Sequence, residues 1–263
     1  MSKAEAFFVP DGDGFVASEL TRGPWSRDHQ HGGPPVALLG RAIARRAGAE
    51  RPDLHIARFT VEFLRPMPIG RASIEADVVR AGRKSMALAA SLRIDGRDVA
   101  RATALALRTT SLDLPPLPEE VAPPPPEQSA PFSFPFFCDP IGYHSAMEIR
   151  IARGAFGSGA LTGWLRMRHP LVAGEPPSPL ERVLVAADAG NGLSAALDTE
   201  RYSFMNPDLN VNLLRLPEGE WVCLDAVTTV LPSGVGLADS RLYDVRGPIG
   251  RVVQCLLIEE LPA

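Results

Sequence analysis

Three polar residues stand where an aliphatic pattern would place hydrocarbon: Asp188, Asn206 and Gln254. Asp188 continues the apolar stripe Leu180, Val183, Leu184 and Ala187. An ionised carboxylate on a buried stripe is costly unless it is paired or its pKa moves. Asn206 stands at the start of a later strand, and Gln254 interrupts the apolar run 249–258. A buried glutamine needs hydrogen-bond partners. A carboxylate can take a proton from water while amides hold that water in attacking geometry. Such an arrangement would offer hydrolysis without a protein nucleophile. The pattern alone leaves open an Asp188 at the edge of its stripe reaching water, and a Gln254 facing solvent.

The helix predicted over residues 178–197 must carry Asp188. Ser178 suits its cap, Pro179 its first position, and Glu181 completes a Ser-x-x-Glu capping box. Gly190 and Gly192 would each cost about 1 kcal/mol in its interior. A second helix is predicted from Pro34 or Pro35 to Arg46, with Gly48 as terminator. Its lead-in, His31-Gly32-Gly33, offers backbone N–H groups to an oxyanion and lets a carbonyl approach the backbone. The bare reading of His31 is a flexible helix lead-in.

Strands are predicted at 15–17, 56–64, 72–80, 85–94 and 99–108, with Asp95-Gly96 closing a hairpin. Residues 111–138 read as a linker, with nine of the chain's 26 prolines between 111 and 135. Beyond it the pattern returns at an offset of 150: Val61 with Val211, Leu64-Arg65 with Leu214-Arg215, Leu92 with Leu242, Arg101 with Arg251. The chain thus divides into 1–110, the linker, and 139–263. Subtracting 150 pairs Asp188, Asn206 and Gln254 with Leu38, Ile56 and Ala104, so only the second copy is polar there.

The 263 residues are 45% hydrophobic, enough for a substantial core. A net charge of −4 makes no electrostatic case for nucleic acid or an anionic membrane. Cys138, Cys223 and Cys255 have no metal-ligand spacing and read as reduced thiols of a cytoplasmic protein. No signal peptide opens the sequence, and no apolar run is long enough to span a bilayer. No Gly-x-Ser-x-Gly elbow appears, and no zinc spacing. Nothing implies a metal or cofactor. Arg83 and Lys84, on a turn, offer charge to phosphates or simply a solvated turn. Asp208 reads as a turn or strand-start residue.

The chain resembles the double-hotdog acyl-CoA thioesterases of the thioesterase II-like group. The likeness rests on His31-Gly32-Gly33-Pro34-Pro35, Phe63-Leu64-Arg65-Pro66 and Arg80-Ala81-Gly82-Arg83 in the first copy. In the second it rests on Ala187-Asp188, Asn206-Pro207-Asp208-Leu209, Gly219-Glu220-Trp221 and Gln254. It implies an α+β double hotdog, two sheets each wrapped around a long central helix and fused as a pseudo-dimer. It also implies acyl-CoA as substrate and a catalytic Asp, Thr and Gln that activate water. Asp188 and Gln254 match that set, and Asn206 stands where the Thr would be. His31, Gly32, Gly33, Arg83 and Lys84 are then candidates for substrate binding. A homo-oligomer is compatible with the pattern. Two rivals remain: an enoyl-thioester hydratase or dehydratase, which wants a His beside an Asp, and a non-catalytic acyl-thioester binder. Chain length would depend on residues such as Met147, Phe204 and Met205, whose directions the sequence does not give.

Overall fold

The computed structural model describes residues 5–115 and 120–261. The first half runs β1 (Phe8–Asp11), β2 (Gly14–Ala17), α1 (Gly33–Glu50), β3 (Leu54–Phe63), β4 (Arg71–Ala81), β5 (Ser85–Ile94) and β6 (Arg97–Arg108). The second runs β7 (Ala130–Phe132), α2 (Tyr143–Ala146), β8 (Met147–Gly154), β9 (Ala160–Met167), α3 (Pro179–Ala187) and α4 (Gly190–Leu193). It then continues with β10 (Tyr202–Met205), β11 (Asp208–Leu213), β12 (Val222–Val230), β13 (Val235–Asp244) and β14 (Gly247–Glu260).

One large antiparallel sheet follows the order β1-β2-β4-β5-β6-β3-β11-β14-β13-β12-β9-β8-β7, with β10 also pairing β14. The arrangement is α+β. Strand registers repeat at the offset read from the sequence. Glu75 pairs Ser91 as Asp225 pairs Arg241, and Ser91 pairs Arg101 as Arg241 pairs Arg251. At the β3–β11 junction Thr60 lies opposite Asn210, its own counterpart. Asn210 Nδ2 donates to Thr60 Oγ1 there at 3.1 Å. The Asp95-Gly96 hairpin has positive φ at both loop residues, as a two-residue primed turn requires.

α1 lies against β4 and β5 and packs on α3. Gly40 lets the two helices close up, because a Cβ at that position would run into Leu184 Cδ1. Gly40→Val is expected to cost about 1–3 kcal/mol through overpacking, read as a lower thermal midpoint. An unchanged midpoint would mean that the helix contact is loose.

Four expectations change. α1 runs through Gly48 and stops at Arg51, whose extended backbone (φ −143°, ψ 86°) is what the following Pro52 favours. The second helix is not one long rod. α3 has nine residues and its capping box, and the chain breaks at Asp188–Ala189 before the single turn of α4. Gly190 and Gly192 therefore do not weaken a helix interior. Asp188 also does not correspond to Leu38. The helix caps, Gly32 and Ser178, are 146 apart, which makes Ala42 the counterpart by helix position. Finally, the far end of the linker is docked. Trp164 Nε1 donates to Pro124 O, Arg150 donates to Pro126 O, and β7 joins the sheet as an edge strand. An edge tolerates Pro131, which has no N–H to give. Pro116 and Pro118 lie outside the described residues.

Candidate functional site

Where α3 ends, Asp188 caps it with its carboxylate turned inward and only 5% exposed. Gln254 is 1% exposed, on the inward face of β14 with Val252 and Leu256. The solvent-facing readings of both residues are therefore wrong. Asn206 arrives through a bulge. Met205 pairs Leu257 and Asn210 pairs Val253, so the β10–β11 side holds one residue more than β14 does. Bulges re-aim side chains in this way. Asp208 completes the break structurally, its Oδ1 accepting from Cys255 N–H at 2.7 Å.

The three side chains meet. Asn206 Nδ2 donates to Asp188 Oδ1 at 2.8 Å, and Gln254 Nε2 lies 3.4 Å from the same oxygen. Gln254 Oε1 accepts from Asn191 N–H at 3.2 Å, which fixes the orientation of the amide. Gly190 makes room for this amide: a Cβ there would lie 3.0 Å from Gln254 Oε1.

His31 belongs to this cluster, which its reading as a bare lead-in missed. Its Nδ1 is 3.1 Å from Asp188 Oδ2 and 3.1 Å from Gly33 N. In one tautomer Nδ1 accepts from Gly33; in the other it donates to the carboxylate. The ring stacks on Tyr143 at 3.7 Å, and Tyr143 Oη donates to Val185 O. Burial pushes His31 down to about 3, so the imidazole is neutral and its contact with Asp188 is a hydrogen bond. Burial pushes Asp188 up to about 7, partly offset by Asn206 and by the N–H groups of Gly33 and Gly32. Pro34 and Pro35 have no N–H. The positive end of α1 is therefore presented through Gly32 and Gly33, toward Asp188.

Beside this cluster lies a cavity of about 400 Å³. Asp188, His31, Gly32 and Asn206 form one side. Trp25, Phe63, Phe134, Phe136, Phe137 and Phe204 supply aromatic walls, and Arg65 and Pro66 stand at the exposed rim. Gln30 also lines it, with Nε2 on Pro68 O and Oε1 buried without a partner among the described residues. The linker phenylalanines were missed, although four of them within residues 132–137 are too apolar for a solvated spacer.

Arg83 and Lys84 are not brought here. Their turn sits at the far end of α1, where Arg51 donates to the carbonyls of Gly82 and Arg83. That is about 27 Å from His31 along an 18-residue helix. All three cysteines are free thiols. Among the described residues no group of three His, Cys, Asp or Glu is placed to hold a metal, and no helix is long and apolar enough to cross a membrane.

The fold has counterparts among known proteins. A candidate thioesterase II from Thermobifida fusca is 21% identical, covering 96% of this chain and 95% of its own, with a TM-score of 0.73. A hotdog-fold protein of unknown function from Alicyclobacillus acidocaldarius is 18% identical, covering 97% and 96%, with a TM-score of 0.71. An acyl-CoA thioesterase II from Mycobacterium marinum is 15% identical, covering 96% and 94%, with a TM-score of 0.65. At these identities the likeness establishes the fold. No curated protein matches the chain in sequence. The sequence pattern of the acyl-CoA thioesterase N-terminal domain matches residues 21–107, and that of the C-terminal domain matches residues 118–258. On that match over most of its length, the chain belongs to the acyl-CoA thioesterase family.

Proposed function

We propose that the protein hydrolyses acyl-CoA thioesters with a water molecule activated by Asp188. The observation that carries this is the buried Asp188 carboxylate, held by Asn206 at 2.8 Å and opening on an apolar cavity. The acyl group enters the aromatic cavity and the thiol arm leaves along the exposed rim. Ionised Asp188 takes a proton from water, and the water oxygen bonds to the thioester carbonyl carbon. The tetrahedral intermediate collapses with C–S cleavage. The thiolate leaves and takes the proton back from Asp188, which resets the carboxylate. Asn206 and Gln254 orient the carboxylate and the water. Arg65 offers charge at the rim.

The repeated strand registers support a pseudo-dimer of two hotdog units, 1–110 and 139–263, whose helices α1 and α3 pack together. In this reading one site is assembled from both copies: His31, Gly32 and Gly33 from the first, and Asp188, Asn206 and Gln254 from the second.

The direct test is release of free thiol from a panel of acyl-CoAs. The pH profile adds a second check. The base must be ionised, so kcat/KM should rise with pH and level off above about 7. His31 stays neutral down to about 3, so it should add no second step between pH 5 and 9. A flat profile over that range would remove Asp188 as the base.

The His31–Asp188 contact also favours a second reading, hydration of an enoyl thioester, because it supplies the His beside an Asp that such chemistry wants. Loss of enoyl absorbance without thiol release would select it. Binding with neither change would select the acyl-thioester binder.

A further inference from the structure

We infer that Phe204 is the end wall of the acyl site, so the protein takes compact acyl groups of about one aryl ring in length. This rests on the acyl-CoA reading above. The cavity has a wet end and a dry end. Trp25, Met205 and Leu257 at its rim are 42%, 42% and 46% exposed, whereas Phe134, Phe204 and Asn191 are 5%, 6% and 9% exposed. An acyl group held at Asp188 therefore points toward Phe204. The distance is short, because Phe204 precedes Asn206 by only two residues, which can separate their Cα atoms by at most about 7 Å.

The ring is held in place. Trp25 meets it edge-on at 5.1 Å and Phe136 at 6.0 Å. Its backbone pairs with Ile258, and its carbonyl accepts from Asn191 Nδ2 at 3.4 Å. A second void of about 10 Å³, the room of about one water, is also bounded by Asn191 and Phe204 and is otherwise lined by residues such as Ala195, Ala196, Thr228, Val230 and Leu256. Phe204 thus borders both spaces, and removing its ring would enlarge the cavity on that side. The side walls are aromatic faces and edges, which suit an aryl guest in offset or edge-on contact. A long alkyl chain would have to displace a buried ring held between Trp25 and Phe136.

The test separates binding from turnover. Phenylacetyl-CoA and dodecanoyl-CoA are titrated into Asp188→Asn protein, where thioesters persist, with Phe204 intact, Phe204→Ala or Phe204→Leu. Thermal unfolding shows that each variant is folded. Phenylacetyl-CoA is expected to bind at least about tenfold tighter than dodecanoyl-CoA. Phe204→Ala should move the ratio at least about tenfold toward the long chain, and Phe204→Leu should move it less. Equal binding of the two, or a ratio unchanged in either folded variant, overturns the inference. Thiol release by the wild type is scored beside it. Selective binding without release overturns hydrolysis and leaves the end wall standing. Release from both substrates at equal kcat/KM overturns the end wall and leaves hydrolysis standing. No binding of either overturns both.

Discussion

Asp188→Asn is expected to lower kcat by about 10³-fold, within the range for loss of a general base, while making the protein more stable at alkaline pH. The two effects share one cause. Burial raises the carboxyl to about 7 in the folded chain, against about 4 when unfolded. The folded state therefore binds this proton more tightly than the unfolded state does. Stability from this group is fully present below about pH 4 and is lost as pH rises through 7. The loss is at most about 4 kcal/mol. The amide has no charge to bury, so the variant should gain on the wild type between pH 4 and 7 and hold that lead above. His31 has the opposite sign: buried neutral, it favours folding as pH rises from about 3 to 6.5, and it does so in both proteins. The checks are thiol-release kinetics and thermal midpoints at pH 5 and pH 8. Full activity would place the chemistry elsewhere. A variant less stable at pH 8 would mean that Asp188 is a structural anion.

Gly32→Ala should cost about 100-fold in kcat with little change in stability. Gly32 has φ −64° and ψ −30°, which alanine adopts freely. The effect is therefore steric. An added methyl would lie 2.7 Å from Asp188 Oδ2, 3.0 Å from its Cγ and 3.0 Å from Phe63 Cζ. Something must move, and the carboxylate is held by only a few hydrogen bonds. A displacement near 1 Å can cost about 100-fold in a positioned reaction. Alanine should also turn the local N–H groups away and push the pH midpoint of kcat/KM above 7, since those donors favour the ionised form. Wild-type kcat with an unmoved midpoint would show that the α1 lead-in does not touch the working carboxylate.

Periodic features were legible in the sequence because the backbone imposes them. The capping box at Ser178, the Asp95-Gly96 turn and the meander strands depend on neighbours a few residues away. The 150-residue repeat was legible because paired strands must keep register, and the registers obey it residue by residue. The same repeat misled at Leu38, since a helix can slide along its sheet without breaking a ladder. Gly48 misled as well: a glycine permits a helix end, but here Pro52 enforces one.

The sequence alone marked Asp188, Asn206 and Gln254 as polar intrusions into apolar patterns, because the expense of burying such groups shows in one dimension. Only the tertiary structure decided that they share one point. A strand bulge aims Asn206, an inward β14 face carries Gln254, and a helix ends at Asp188. The resemblance marked His31 for substrate binding, but its contact with Asp188 was hidden for the same reason: the two lie 157 residues apart and are brought close by packing α1 on α3. The cavity walls were hidden too. A proline-rich stretch looks like a spacer until its phenylalanines dock, and docking depends on surfaces that exist only after both halves have folded.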